Sequence, residues 1–140
     1  MAVTAQPILA GRGHGPVLRL DHPLSFWGGV DPASGALLAP PHGSIAGTVL
    51  MLPAAIGSSS SSAVLLELLR NGQAPAALVL GQIDAILGLG ILAASEMGWK
   101  TIPLLVLDVV EQARFETGAW VVIDAGGGIG PMRQGADIQT

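Results

Sequence analysis

Cysteine is absent from this 140-residue sequence, which removes disulfides, thiolate nucleophiles and iron–sulfur ligation from the chemistry the chain can supply alone. Charge is scarce: Asp, Glu, Lys and Arg make up 11% of residues, against about 25% in an average globular chain. Lys100 is the one lysine, and six basic residues against ten acidic ones leave a net charge of −4. No cationic field exists to hold a polynucleotide, so nucleic acid is excluded as a partner. Long hydrophobic runs are missing too. The longest apolar stretch, around residues 85–94, falls short of the roughly 20 residues a membrane-spanning helix needs, so no membrane is expected. The opening Met1-Ala2-Val3-Thr4-Ala5-Gln6-Pro7 has neither the basic start nor the apolar core of a secretory signal, which makes cytoplasm the expected compartment.

What is present is apolar. Hydrophobic residues make up 50% of the chain, and mean hydropathy is +0.60. One domain of this length buries roughly 68–70% of its unfolded surface. No Asp, Glu, Lys or Arg occurs from residue 35 to 66, or from 85 to 95. Such segments are either an Ala/Leu-rich core with small neutral loops or a surface that meets another protein.

Gly and Pro punctuate the N-terminal half too often for long helices, so short strands are expected at 8–13 and 16–20, joined across His14-Gly15. Ser25-Phe26-Trp27-Gly28-Gly29-Val30-Asp31-Pro32 reads as a loop. Val49-Leu50-Met51-Leu52 reads as a buried strand. A serine loop at 57–62 then leads into a helix at 63–70, where Val64, Leu65, Leu68 and Leu69 recur with helical spacing and Asn71-Gly72 supplies the stop. A strand at 76–80 precedes a helix N-capped by Asp84 and running to Met97-Gly98. Gly88 and Gly90 lie inside that helix, at about 1 kcal/mol each relative to alanine, so close packing against a neighbour is expected. A strand at 102–107, a short helix at 109–115 and a strand at 120–123 complete the pattern. The class is α/β, with a parallel sheet and a hairpin-like start. The domain is expected to end at residue 125, with 126–140 a flexible C-terminal tail.

Gly126–Gly130 follows a strand, but Pro131 replaces the helix that a dinucleotide fingerprint requires. Residues 57–62 lack the Gly-Lys-Ser/Thr ending of a P-loop. His14, His22 and His42 sit beside Gly or Pro in separate loops and have no metal-ligand spacing, so no metal site is expected. No Gly-x-Ser-x-Gly elbow supports a serine hydrolase. The serine run remains. A solvated linker should separate two domains, whereas this run lies between two core-like segments. It reads instead as a strand-to-helix connection whose N–H groups and hydroxyls converge on one point, able to hold an anion or simply to cap the helix.

Ser25-Phe26-Trp27-Gly28-Gly29-Val30-Asp31-Pro32, Ser44-Ile45-Ala46-Gly47, Gly57-Ser58-Ser59, Val64-Leu65-Leu66-Glu67-Leu68, Arg70-Asn71-Gly72 and Ala74-Pro75-Ala76 resemble, in order and spacing, the small subunit of aconitase X. The resemblance spans about residues 11–124. It implies a swivelling β/β/α domain, a mixed or barrel-like sheet with flanking helices, that caps a larger, cysteine-containing subunit. The iron–sulfur cluster would belong to that large subunit. Members dehydrate small hydroxy acids: mevalonate 5-phosphate in archaea, and in bacteria cis-3-hydroxy-L-proline, which yields 1-pyrroline-2-carboxylate. The family's proton acceptor is the serine directly after the loop glycine, and Ser58 matches it, with Gly57, Ser59 and Ser60 as expected substrate-binding neighbours. Trp27, Gly28, Gly29 and Asp31 form a candidate interface or substrate loop; the other reading of Trp27 is a buried aromatic that holds a bend.

One departure matters. Aconitase places an arginine after its serine pair, yet here Ser60 follows. A helix N-terminus contributes typically 0.3–1 kcal/mol and at most about 2, and one pKa unit is about 1.4 kcal/mol, so the dipole alone moves Ser58 by little more than one unit. The missing cation is expected from the large subunit, supplemented by the amides of Ser59 and Ser60. A phosphate ligand calls for Arg or Lys, and none lies between Arg19 and Arg70, which favours hydroxyproline over phosphomevalonate. A non-catalytic interaction module of the same fold is the alternative from another class.

Overall fold

The computed structural model describes residues 2–132. Ten strands and four helices follow one another as β1 (Val3–Thr4), β2 (Gln6–Leu9), β3 (Gly13–Arg19), β4 (Leu24–Ser25), α1 (Phe26–Gly29), β5 (Val49–Leu52), β6 (Ala55–Ile56), α2 (Ser58–Arg70), β7 (Ala77–Leu80), α3 (Ala85–Glu96), β8 (Leu104–Val106), α4 (Val109–Gln112), β9 (Trp120–Ile123) and β10 (Gly128–Pro131). The main sheet runs β1-β10-β9-β3-β5-β7-β8-β2. β3, β5, β7 and β8 are parallel, and antiparallel strands flank them on both sides. The two edge strands, β1 and β2, are separated in the chain by Ala5 alone. That short link draws the edges together into a nearly closed, barrel-like mixed sheet with flanking helices.

β5, β7 and β8 are apolar at every position because both of their faces are covered. Alternation by two divides β5 between two cores. Leu50 and Leu52 pack with Leu65, Leu68, Leu87 and Ile91 under the helices, while Val49 and Met51 join Val17, Phe115, Val121 and Ile129 inside the sheet's curve. The expected helix cap is present: Asp84 Oδ1 accepts from the amides of Ile86 and Leu87 at 3.1 and 3.0 Å. The close packing expected of the helix glycines falls on Gly90, where any Cβ would collide with Ser62 of α2, whereas at Gly88 the nearest atom, Leu104 Cδ2, would lie 3.7 Å away.

Three expectations require correction. The N-terminal strands do not form a hairpin across His14-Gly15; β3 runs straight through that dipeptide, pairing with β5 and β9, while β2 pairs with β8. The glycine at 13 serves proximity instead of turning, since a Cβ there would lie 2.8 Å from the Ala76 carbonyl oxygen. The serine run is not a loop before the helix: α2 begins at Ser58. The hydroxyls of Ser60 and Ser61 bond back to the Gly57 and Ile56 carbonyls. The chain after residue 125 also re-enters the sheet, because Gly128–Pro131 pairs with β9 and β1. The rest of the expected tail, 133–140, lies outside the described residues.

Candidate functional site

Strand β5 ends at Leu52, and a connection through β6 delivers the chain to Gly57, which adopts φ +102°. A side chain there would be doubly unfavourable: the conformation is left-handed, and a Cβ would sit 2.9 Å from Ser61 Oγ. This turn aims the N-terminus of α2 at the carboxyl ends of the parallel strands, the end at which open α/β sheets bind ligands. The first amides of any helix lack intrahelical acceptors. No acidic residue occupies the first turn of α2, so nothing there offsets the positive end of the helix dipole.

The serines divide their work. Ser60 Oγ donates to Gly57 O at 2.8 Å, and Ser61 Oγ donates to Ile56 O. Ser62 faces Gly90 on α3. Of the expected substrate-binding residues, Ser59 is exposed, whereas the Ser60 hydroxyl is engaged within the turn and is left with acceptor capacity and an amide.

The aromatic loop lies beside this turn. β4 pairs with β6 in parallel, with Ser25 opposite Ile56, and Ser25 Oγ donates to Trp27 O at 2.7 Å. The same oxygen would be 3.5 Å from a Cβ on Gly57, so Ser25 lies beside the Gly57 turn while it holds the Trp27 loop. Gly28 takes φ +79° with open space around it. Phe26 is the buried aromatic, at 0% exposure, and Trp27 stands out at 66%. The reading of Trp27 as a buried aromatic is thereby corrected; the buried aromatic of this turn is Phe26.

Asp31 belongs elsewhere. Its carboxylate accepts from Ala33 N at 3.0 Å and Ser34 Oγ at 3.1 Å, which makes it the hinge of its own turn. The following Pro32 accepts from Asn71 Nδ2 at 3.1 Å, at the far end of the 13-residue α2, roughly 20 Å from Gly57 at 1.5 Å per residue. The structure therefore brings Trp27, Gly28 and Gly29 towards Gly57 and leaves Asp31 out.

The site is open and carries little charge. A groove of 1440 Å³, lined in part by Arg12, His14, Lys100 and Trp120, lies at the opposite end of the sheet. A hollow of 360 Å³ lined by Arg19, Leu20, Asp21, His22, Pro40 and Pro41 sits near the carboxyl ends. Neither encloses Gly57. Within that hollow, Asp21 is held below the ordinary carboxylate value, chiefly by its hydrogen bond with the His22 ring. Arg19 is turned away, its Nε donating to Phe115 O at 3.3 Å, and Arg70 faces Glu67 at the other end of α2. At the carboxyl ends of the strands stand exposed apolar side chains: Trp27, Ile56, Ile83, Ile86, Val109 and Val110, the last 73% exposed. All follow the carboxyl ends of β4, β6, β7 or β8 or close β6.

With no cysteine in the chain, and no group of three His, Asp or Glu brought together among the described residues, these residues do not fit an iron–sulfur cluster. No helix among the described residues is long and apolar enough to cross a membrane.

Fold and site together define a barrel-like swivel domain that presents a glycine–serine helix N-terminus in an apolar rim. The chain belongs to the aconitase X swivel-domain family, whose sequence model matches residues 2–130. A cis-3-hydroxy-L-proline dehydratase of Hypocrea jecorina is 36% identical over 121 residues, which is 83% of this chain and 20% of that protein. A phosphomevalonate dehydratase small subunit of Methanocella arvoryzae is 34% identical over 136 residues, covering 92% of this chain and 97% of its own. The crystal structure of Thermococcus kodakaraensis aconitase X in its holo-form matches with a TM-score of 0.80 and 30% identity, over 95% of this chain and 99% of that one. This chain thus spans about a fifth of the hydroxyproline enzyme and nearly the whole of the phosphomevalonate small subunit.

Sequence reasoning singled out Gly57, Ser58, Ser59, Ser60 and the Trp27 turn and did not single out Ser25, Ser61 or Gln112, whose hydrogen bonds lie beside Gly57 and the end of β5. Ser25 and Ser61 were visible only as members of motifs. Gln112 in a short helix carries no signal at all, since its burial is created by the strands beneath it.

Proposed function

We propose that this chain is the small subunit of a two-chain aconitase X hydro-lyase, in which Ser58 removes the α-proton of a small hydroxy acid. The observation that carries the reading is the left-handed Gly57 turn, which sets Ser58 as the first residue of α2 at the carboxyl ends of the sheet. In the reaction the Cα–H bond breaks, its electron pair forms the new double bond, and the β-hydroxyl departs as water. The proton passes to the Ser58 oxygen. A serine is a competent base only when its alkoxide is stabilised. The helix terminus supplies about one pKa unit of that stabilisation; the amides of Ser59 and Ser60 add donors. The remaining positive charge, the acid for the departing hydroxyl and the iron–sulfur cluster are assigned to a cysteine-containing large subunit. That subunit docks over the apolar rim and closes the open site.

The substrate we favour is cis-3-hydroxy-L-proline, giving 1-pyrroline-2-carboxylate after tautomerisation of the initial enamine. The absence of any Lys or Arg between residues 19 and 70 supports a ligand without phosphate. The second reading is mevalonate 5-phosphate, supported by the near full-length match to that enzyme's small subunit. Co-expression with the open reading frame beside its gene tests both. Co-purification of the two chains, with turnover of the imino acid and not the phosphate ester, is the expected result. Turnover of the phosphate ester alone assigns the second substrate. A complex inactive on both leaves a non-catalytic module, and activity of this chain by itself contradicts the two-chain account.

A further inference from the structure

The connection from β5 to α2 is held at both ends by buried side chains. Among the described residues two polar side chains are buried, Ser61 at 1% and Gln112 at 2% exposure. Both donate to backbone carbonyls of the same short segment. Gln112 Nε2, on α4, reaches Leu52 O at 3.1 Å and Leu107 O at 3.0 Å, tying the end of β5 to the end of the β8 segment. Ser61 Oγ, one turn into α2, donates to Ile56 O, immediately before Gly57. Leu52 O also accepts from Gly81 N at 3.0 Å. Ser61 Oγ is the atom that a Cβ on Gly57 would strike first.

A buried donor left unpaired costs about 1–3 kcal/mol; both of these donors are satisfied by carbonyls of the connecting segment, so any departure of that segment from its path carries that cost. The geometry points to Ser61 and Gln112 as positioning residues, which fix residues 53–57 and thereby the direction in which the first amides of α2 are aimed. Neither side chain reaches the reacting atoms. Both act through the backbone they hold, Ser61 through the peptide before Gly57 and Gln112 through the strand end that launches the connection. This deepens the proposed reaction and rests on it for its kinetic consequence, while its structural consequence stands apart.

The test uses Ser61→Ala and Gln112→Met, each nearly isosteric with the native side chain but without its donor. Amide hydrogen exchange in this chain should accelerate about tenfold or more at residues 61–63, the first amides of α2 with helical acceptors, with β7 amides unchanged, the signature of local opening. In the assembled two-chain enzyme kcat should fall roughly 10–100-fold with KM within about twofold, because misplacement by a fraction of an ångström to 1 Å has costs on that order. Ser61→Cys, which retains a weak donor in similar volume, should recover part of kcat. Unchanged exchange at 61–63, or unchanged kcat in an active complex, overturns the assignment. If the wild-type complex turns over neither substrate, the proposed reaction fails, and the exchange measurement alone then decides the positioning role.

Discussion

At residue 57 the chain needs a conformation that L side chains avoid. A non-glycine residue held there costs about 1–3 kcal/mol, and the clash with Ser61 Oγ adds to it. Gly57→Ala is therefore expected to lower the unfolding free energy by about 2 kcal/mol and to depress turnover; chemical denaturation and steady-state kinetics check the two effects. The sequence already displayed this glycine, the serines after it and the exposed-aromatic motif of Trp27, because glycine and serine at a strand-to-helix junction have few other uses. It did not display which hydroxyls are engaged. Ser60 and Ser61 differ only in where helical rotation carries them, one towards Gly57 O and the other towards Ile56 O, and that rotation was unreadable while the helix was expected to begin at residue 63. Asp31 shows the converse: its place in a family motif suggested the site, yet its oxygens serve the Ala33–Ser34 turn.

Helices α2 and α3 approach closely where Ser62 meets Gly90. Any side chain at 90 must separate them, and overpacking of this kind costs about 1–3 kcal/mol. Gly90→Leu should lower the midpoint of thermal unfolding, and a variant as stable as the parent would show that the contact is dispensable. Asp84→Ala removes the acceptor for Ile86 N and Leu87 N and should cost about 1 kcal/mol, read from denaturant titration. These elements were legible because apolar spacing and capping residues are local. The parallel strands were legible as well, since burial on both faces leaves continuous apolar runs. The sheet's closure was not. It depends on Ala5 linking two edge strands and on Gly128–Pro131 pairing with partners far apart in sequence, and glycine-rich strands carry no alternating pattern to announce them.

The molecule as a whole places Trp27, Ile56, Ile83, Ile86, Val109 and Val110 and its open helix terminus at the carboxyl ends of the strands, while other exposed apolar side chains, Leu89, Leu92 and Trp120 among them, lie on α3 or at the wide groove. Part of the charge-free sequence is core, as in β5, where Val49, Leu50, Met51 and Leu52 are all buried, while Ile86 and Leu89 of the charge-free 85–95 stand exposed. Val110→Asp, at an exposed position, should leave the fold of this chain intact and weaken its association with the large subunit by roughly 1–3 kcal/mol if the rim is buried there. Calorimetric titration of the two chains measures it, and unaltered affinity would move the interface elsewhere. The decisive measurement is water loss from cis-3-hydroxy-L-proline by the assembled two-chain enzyme carrying Ser58→Ala. The account requires a fall on the order of 10²–10⁴ in kcat, with the complex still formed; turnover within a few-fold of the parent would contradict it.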